Sequence, residues 1–124
     1  MSDIRYTRDH EWVRLEGSVA TVGITGYAQE VLGTVVFVEL PQPGRKVQAG
    51  ETCAMIESVK AASDVRAPLS GRITGANAAV VNEPALVNSA ADGAGWFFCM
   101  ELTDRAGFDA LMDEAAYHSF VDTL

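Results

Sequence analysis

The sequence predicts a mainly β fold closed by a short helical tail. Three observations point there. Apolar segments between Glu11 and Leu102 are too short for helices of ordinary length, Gly, Pro and Asn punctuate them, and apolar residues take up helical spacing only after Leu102. The 124 residues fit one domain, 1–124, with a β body over about 5–102 and a helical tail over about 103–124. A composition 48% hydrophobic and 21% charged is that of neither a disordered chain nor a membrane protein.

Taken in order, the expected strands run from Glu11 to Leu15, Val19 to Ile24, Val35 to Leu40, Thr52 to Ile56, Asp64 to Ala67, Arg72 to Ala76 and Trp96 to Leu102. Thr25 is placed to cap a brief helix from Tyr27 to Leu32, with Gly33 in the usual C-terminal position. In the tail, Phe108, Leu111, Met112 and Ala115 recur at helical spacing behind Thr103 or Asp104 as cap. Asp113 and Glu114 then open a second short helix, whose Ala116, Tyr117, Phe120 and Val121 form an apolar side.

Nine basic against seventeen acidic residues give a net charge of -8, which repels phosphate backbones and anionic lipid, so no nucleic-acid or membrane partner is expected. No stretch approaches the ~18 apolar residues of a membrane span, and residues Met1 to Arg5 lead into no secretory core. A reducing cytoplasmic location is therefore expected. Cys53 and Cys99 lie in apolar runs and read as small buried hydrophobes. The histidines, His10 and His118, lie far apart in sequence, and no close Cys or His pair has zinc-site spacing. Trp12 and Trp96 read as packing residues, and His10 as a structural hydrogen-bonding group near the N-terminal strand.

A weak internal repeat marks the middle of the chain. Pro41-Gln42-Pro43-Gly44-Arg45 is echoed 27 residues later by Pro68-Leu69-Ser70-Gly71-Arg72, each a turn followed by an alternating segment. Between the copies, two apolar stretches flank a polar centre, which places Lys60 near the tip of a hairpin. Val59-Lys60 has no Gly or Asn for a primed turn, so the hairpin must use an ordinary turn held by the surrounding sheet.

Glu57-Ser58-Val59-Lys60-Ala61 resembles the attachment site of lipoyl-carrying proteins, with Gly44 lying 16 residues before Lys60 and Gly71 lying 11 after it, like that family's flanking glycines. Further segments are similar to one branch, the glycine cleavage H proteins. They are Tyr6-Thr7, His10 to Val13, Ala20 to Thr25, Tyr27-Ala28-Gln29, Leu32-Gly33, Val35 to Pro41, Glu57 to Asp64, Leu86-Val87-Asn88 and Gly95-Trp96. Acyltransferase lipoyl domains typically have Asp where this chain has Val59, and biotin carriers favour Met where it has Val59 and Ala61. The family commonly carries a Pro-Tyr pair where this chain reads Ser89-Ala90-Ala91-Asp92-Gly93-Ala94, which predicts a more mobile loop.

The resemblance implies a barrel-sandwich hybrid of two antiparallel sheets with short C-terminal helices. It implies lipoic acid in amide linkage to Lys60, with Glu57, Val59 and Ala61 recognised by lipoylating enzymes. Acids matching Glu11 and Asp64 stand near an arm-binding cleft in the family. The implied role is a non-catalytic carrier that takes an aminomethyl group from glycine decarboxylase, a pyridoxal-phosphate enzyme, to an aminomethyltransferase acting with tetrahydrofolate. Dihydrolipoamide dehydrogenase then reoxidises the arm. Entry into three active sites favours a monomer, and tethering delivers the intermediate at high local concentration. An H-like protein serving mainly lipoyl relay or another lipoyl pathway is the alternative, separable by whether the genes for glycine cleavage stand beside this one. An enzyme in its own right would need a catalytic constellation that the sequence does not display.

Overall fold

A computed structural model describes residues 3–103 and 105–124. Among the described residues, nine strands form two antiparallel sheets. Strands β1 (Asp3–Tyr6), β2 (Glu11–Glu16), β3 (Val19–Ile24), β5 (Lys46–Val47), β8 (Gly71–Ala76) and β9 (Phe98–Leu102) make a six-stranded sheet in the order β1-β2-β3-β9-β8-β5. Strands β4 (Val35–Glu39), β6 (Thr52–Ser58) and β7 (Ala62–Arg66) make a three-stranded sheet in the order β4-β6-β7.

Strands of both sheets supply the buried residues, in several places two in a row. Trp12, Val13 and Leu15 from β2, Ala20, Val22 and Ile24 from β3, Cys53, Ala54 and Ile56 from β6, and Phe98 and Met100 from β9 are buried, together with Phe97 just before β9. The two echoed segments meet each other. Lys46 pairs with Arg72 and Val47 with Gly71, while Ile73 N donates to Arg45 O at 2.8 Å. Exchanging the copies maps the Arg45–Ile73 rung onto the Lys46–Arg72 rung, so the repeat lies across a local two-fold arrangement.

Helix α1 (Gly26–Leu32) is capped as expected: Thr25 Oγ1 accepts from Ala28 N at 3.3 Å, and Gly33 closes the helix at a φ of 78°. Strands β1 and β5 and helices α2 (Ala78–Asn82) and α3 (Ala85–Ser89) lie beyond the sequence expectation. Asn77 caps α2 through its side chain, and Pro84 sits at the start of α3. The Ser89–Ala94 stretch is anchored to the sheet, since Trp12 Nε1 donates to Ala91 O at 2.8 Å and Asn77 Nδ2 donates to Ala94 O at 2.9 Å.

The tail departs from the expected spacing. Helix α4 (Arg105–Asp109) stops before Leu111, because Met112 leaves the helix to pair with Tyr6 through Tyr6 N to Met112 O at 2.8 Å and Met112 N to Tyr6 O at 3.1 Å. The Thr103 hydroxyl donates to Ser70 O at 3.2 Å, and Asp104, the other expected cap of α4, lies outside the described residues. Helix α5 (Glu114–Asp122) begins as expected at Asp113, whose carboxylate accepts from Ala116 N at 2.8 Å.

Phe108 of α4 is fully buried in the same core as the strands. Phe108→Ala is therefore expected to lower unfolding free energy by about 3–5 kcal/mol through lost transfer energy and a residual cavity, read as a shifted denaturant midpoint with the slope preserved.

Candidate functional site

Lys60 occupies the turn between β6 and β7, and its side chain is exposed. Glu57 pairs with Ala62 as the last rung, and Ser58 N donates to Ala61 O at 2.8 Å to close the turn. The Ser58 hydroxyl ties the same turn internally. Its Oγ accepts from Lys60 N at 3.2 Å and from Ala61 N at 3.1 Å, and donates to Ala61 O at 3.1 Å. Among the described residues other than glycine, His10 alone has positive φ, so Val59 and Lys60 adopt an ordinary turn as the sequence expects.

The tip is also held from the side. Val59 N donates to Thr34 O at 3.0 Å. The lysine stem lies across Gly33, where an added Cβ would come 3.4 Å from Lys60 Cε. Asn88 fixes this corner by donating to Gly33 O at 2.8 Å and Gln29 Oε1 at 3.0 Å while accepting from Val35 N at 2.8 Å. Ser58, Gly33 and Asn88 were not singled out as site residues from sequence. A Ser followed three residues later by the end of a tight turn was the readable signal for the first.

Beside the hairpin, a cleft of about 260 Å³ lies between α1, β2 and β7. Ile24, Val31, Leu32 and Ile56 supply apolar walls, and Glu11 and Asp64 both line it, so these two acids share one cavity. Ser63 also lines it, three residues from Lys60, a span of roughly 10 Å at strand rise. Glu57, Val59 and Ala61 stand outside the cleft, exposed beside Lys60 at the tip.

The two acids differ in environment. Asp64 is exposed, whereas Glu11 is only 2% exposed. Glu11 Oε1 accepts from Thr7 Oγ1 at 2.9 Å and Oε2 accepts from Arg66 N at 3.1 Å, which joins a side chain of the larger sheet to the backbone of the smaller one. Burial raises the Glu11 carboxyl to about 7, opposed by those two hydrogen bonds. Next to it, His10 takes a φ of 68° and its Nδ1 lies 2.9 Å from the Tyr117 hydroxyl, which in turn lies 2.7 Å from Thr25 Oγ1. That contact matches the structural role expected of His10. Cys53 is buried, with its thiol pushed by burial to about 12, while Cys99 is half-buried.

The pH dependence follows from Glu11. Its ordinary carboxyl value is 4.5, so between about pH 4.5 and 7 the folded chain holds a proton that the unfolded chain releases. Stability from this group is fully present below 4.5 and is lost as pH rises through about 7. Thermal midpoints measured from pH 4.5 to 8 are expected to show this decline in the wild type and a flattened profile in Glu11→Gln.

The family described as Glycine cleavage H-protein matches residues 4–124. The chain is 59% identical over 124 residues to the glycine cleavage system H protein of Acidiphilium cryptum, with 100% of both chains covered. It is 53% identical to that of Paramagnetospirillum magneticum, covering 100% of this chain and 99% of the relative. Among solved structures, the glycine cleavage system H protein of Mycobacterium marinum superposes with a TM-score of 0.86 at 38% identity, covering 98% of each chain. The two antiparallel sheets, the hairpin and these matches over the full length agree, and the chain belongs to the glycine cleavage H-protein family.

Proposed function

We propose that this chain is the lipoyl carrier of the glycine cleavage system, with lipoic acid joined by an amide to Lys60. The observation that carries the assignment is the exposed Lys60 on a pinned hairpin tip, with a cleft opening three residues away. The residues present suit the group. An acyl arm is apolar, and Ile24, Val31, Leu32 and Ile56 offer it an apolar wall. When bound, the group supplies a disulfide able to accept and release a one-carbon amine unit. Amide formation also removes the ammonium charge of Lys60.

The chain's own residues position and shield. Asp64 and Glu11 offer oxygens to an amine drawn into the cleft, and charge-assisted hydrogen bonds hold it there. With its carboxyl near 7, Glu11 accepts a proton or returns one around neutral pH without leaving its Thr7 and Arg66 contacts. Glu57, with Val59 and Ala61, forms the exposed collar read by lipoylating enzymes.

In this reading the chain is a carrier rather than a catalyst. It visits glycine decarboxylase, aminomethyltransferase and dihydrolipoamide dehydrogenase as a cytoplasmic monomer. No helix among the described residues is long and apolar enough to cross a membrane. Residues 1–124 act as one carrier unit, a reading supported by a single buried cluster that runs from Val13 to Phe108.

Intact mass before and after incubation with a lipoylating enzyme and lipoate tests the assignment. Wild type and Lys46→Arg are expected to gain one lipoyl increment, and Lys60→Arg none. A wild type that stays unmodified beside a modified control substrate returns Lys60 to the class of solvated turn lysines.

A further inference from the structure

The smaller sheet carries an apolar strip that the carrier role of Lys60 does not itself explain. Register shifts between Val35 and Phe37 of β4, so the bulge places both Val36 and Phe37 on the surface, 52% and 45% exposed. Val59, 67% exposed beside Lys60, hydrogen-bonds through its N–H to Thr34 just before β4. From Phe37 the strip continues into a groove of about 420 Å³ between β4 and α2, walled by Leu40, Pro41, Pro43, Ala78 and Val81. Val81 is itself 46% exposed, so the exposed apolar residues Val36, Phe37 and Val81 line one contiguous strip and groove.

The charges beside the strip have one sign. Phe37 pairs across the ladder with Glu57, and Glu39 follows two residues later on the same exposed face. Glu39 is the one charged residue lining the groove among those described. Once acylated, Lys60 no longer offsets these acids. An apolar centre between carboxylates fits an apolar projection flanked by basic side chains. Its continuity with the hairpin tip selects the occupant, because Phe37 pairs with Glu57 and Val59 bonds Thr34, which sets the strip beside Lys60 on the side from which an enzyme taking the arm can approach.

We infer that Val36, Phe37 and Val81 form the docking surface for the entrance of an arm-accepting enzyme, an apolar projection with basic flanks seated in the β4–α2 groove. This rests on the carrier reading above. Exposed position makes Phe37 removable without disturbing the core, in contrast to Val35 and Val38, which flank the Val36–Phe37 pair and are buried.

The test uses lipoylated wild type, Phe37→Ser, Val81→Ser and, as an exposed apolar control away from the strip, Val19→Ser. Each is checked by intact mass and by thermal melting, then assayed as substrate for glycine decarboxylase, aminomethyltransferase and dihydrolipoamide dehydrogenase. Phe37→Ser is expected to raise KM about tenfold with at least one enzyme, Val81→Ser to raise it less, and Val19→Ser to leave it unchanged, with kcat preserved throughout. KM unchanged in both strip variants with all three enzymes overturns the docking surface while leaving the carrier reading intact. A wild-type dimer that Phe37→Ser dissociates, seen by light scattering, overturns it in favour of a second copy as occupant. A mass that never gains the lipoyl increment overturns the carrier reading, and the docking surface falls with it.

Discussion

One serine hydroxyl sets the geometry on which the function depends. Ser58 Oγ serves the amides of Lys60 and Ala61 and the carbonyl of Ala61 within a turn that has no glycine to ease it. A Val-Lys pair disfavours the positive φ of a primed hairpin turn, so the chain reverses here through an ordinary turn with negative φ at both residues, and the Ser58 bonds close it. The tip therefore borrows its stability from the side-chain bonds and from the tether of Val59 to Thr34. The result is a lysine fixed at its backbone, with an exposed side chain whose stem lies across Gly33.

The cleft is built by a second economy of contacts. Glu11 sits in the larger sheet yet bonds the backbone of β7 in the smaller one, so a group that helps fasten the sheets also lines the cavity beside the hairpin. Burying a carboxyl costs free energy, and the cost is met by holding the proton up to about pH 7 and by two hydrogen bonds. On the far side of His10, Tyr117 reaches both the imidazole and the Thr25 cap of α1, so the C-terminal helix braces the cleft wall without entering the cavity. A carrier fold thus uses its tail as a buttress.

Much of this was legible in the residues, and the exceptions have physical causes. The hairpin could be read because apolar stretches flank a polar centre, and α1 because Thr25 and Gly33 bracket it. Strand β1 was not legible, since the alternation of Ile4 and Tyr6 with Asp3 and Arg5 spans only four residues, and pairing with β2 orders it. The helices α2 and α3 run five residues each, below the length at which periodicity declares itself. Leu111 and Met112 keep helical spacing in sequence, but the bridge to Tyr6 overrides it. Lys60, Glu57 and Asp64 came from resemblance to lipoyl carriers, as did the pairing of Asp64 with Glu11. Burial of Glu11 had no signature in the chain, because its partners Thr7 and the Arg66 amide become neighbours only when the two sheets close.

The central claim is that the folded turn, and not the local peptide alone, presents Lys60 for acylation. The most direct measurement is the kcat/KM of a lipoylating enzyme for Ser58→Ala against wild type, with melting curves confirming that both are folded. Loss of the Ser58 hydroxyl is predicted to lower kcat/KM by about tenfold, the upper end of what one lost hydrogen bond is worth. Equal values in the two folded proteins would contradict the account, because the lysine would then be recognised without the geometry that Ser58 imposes.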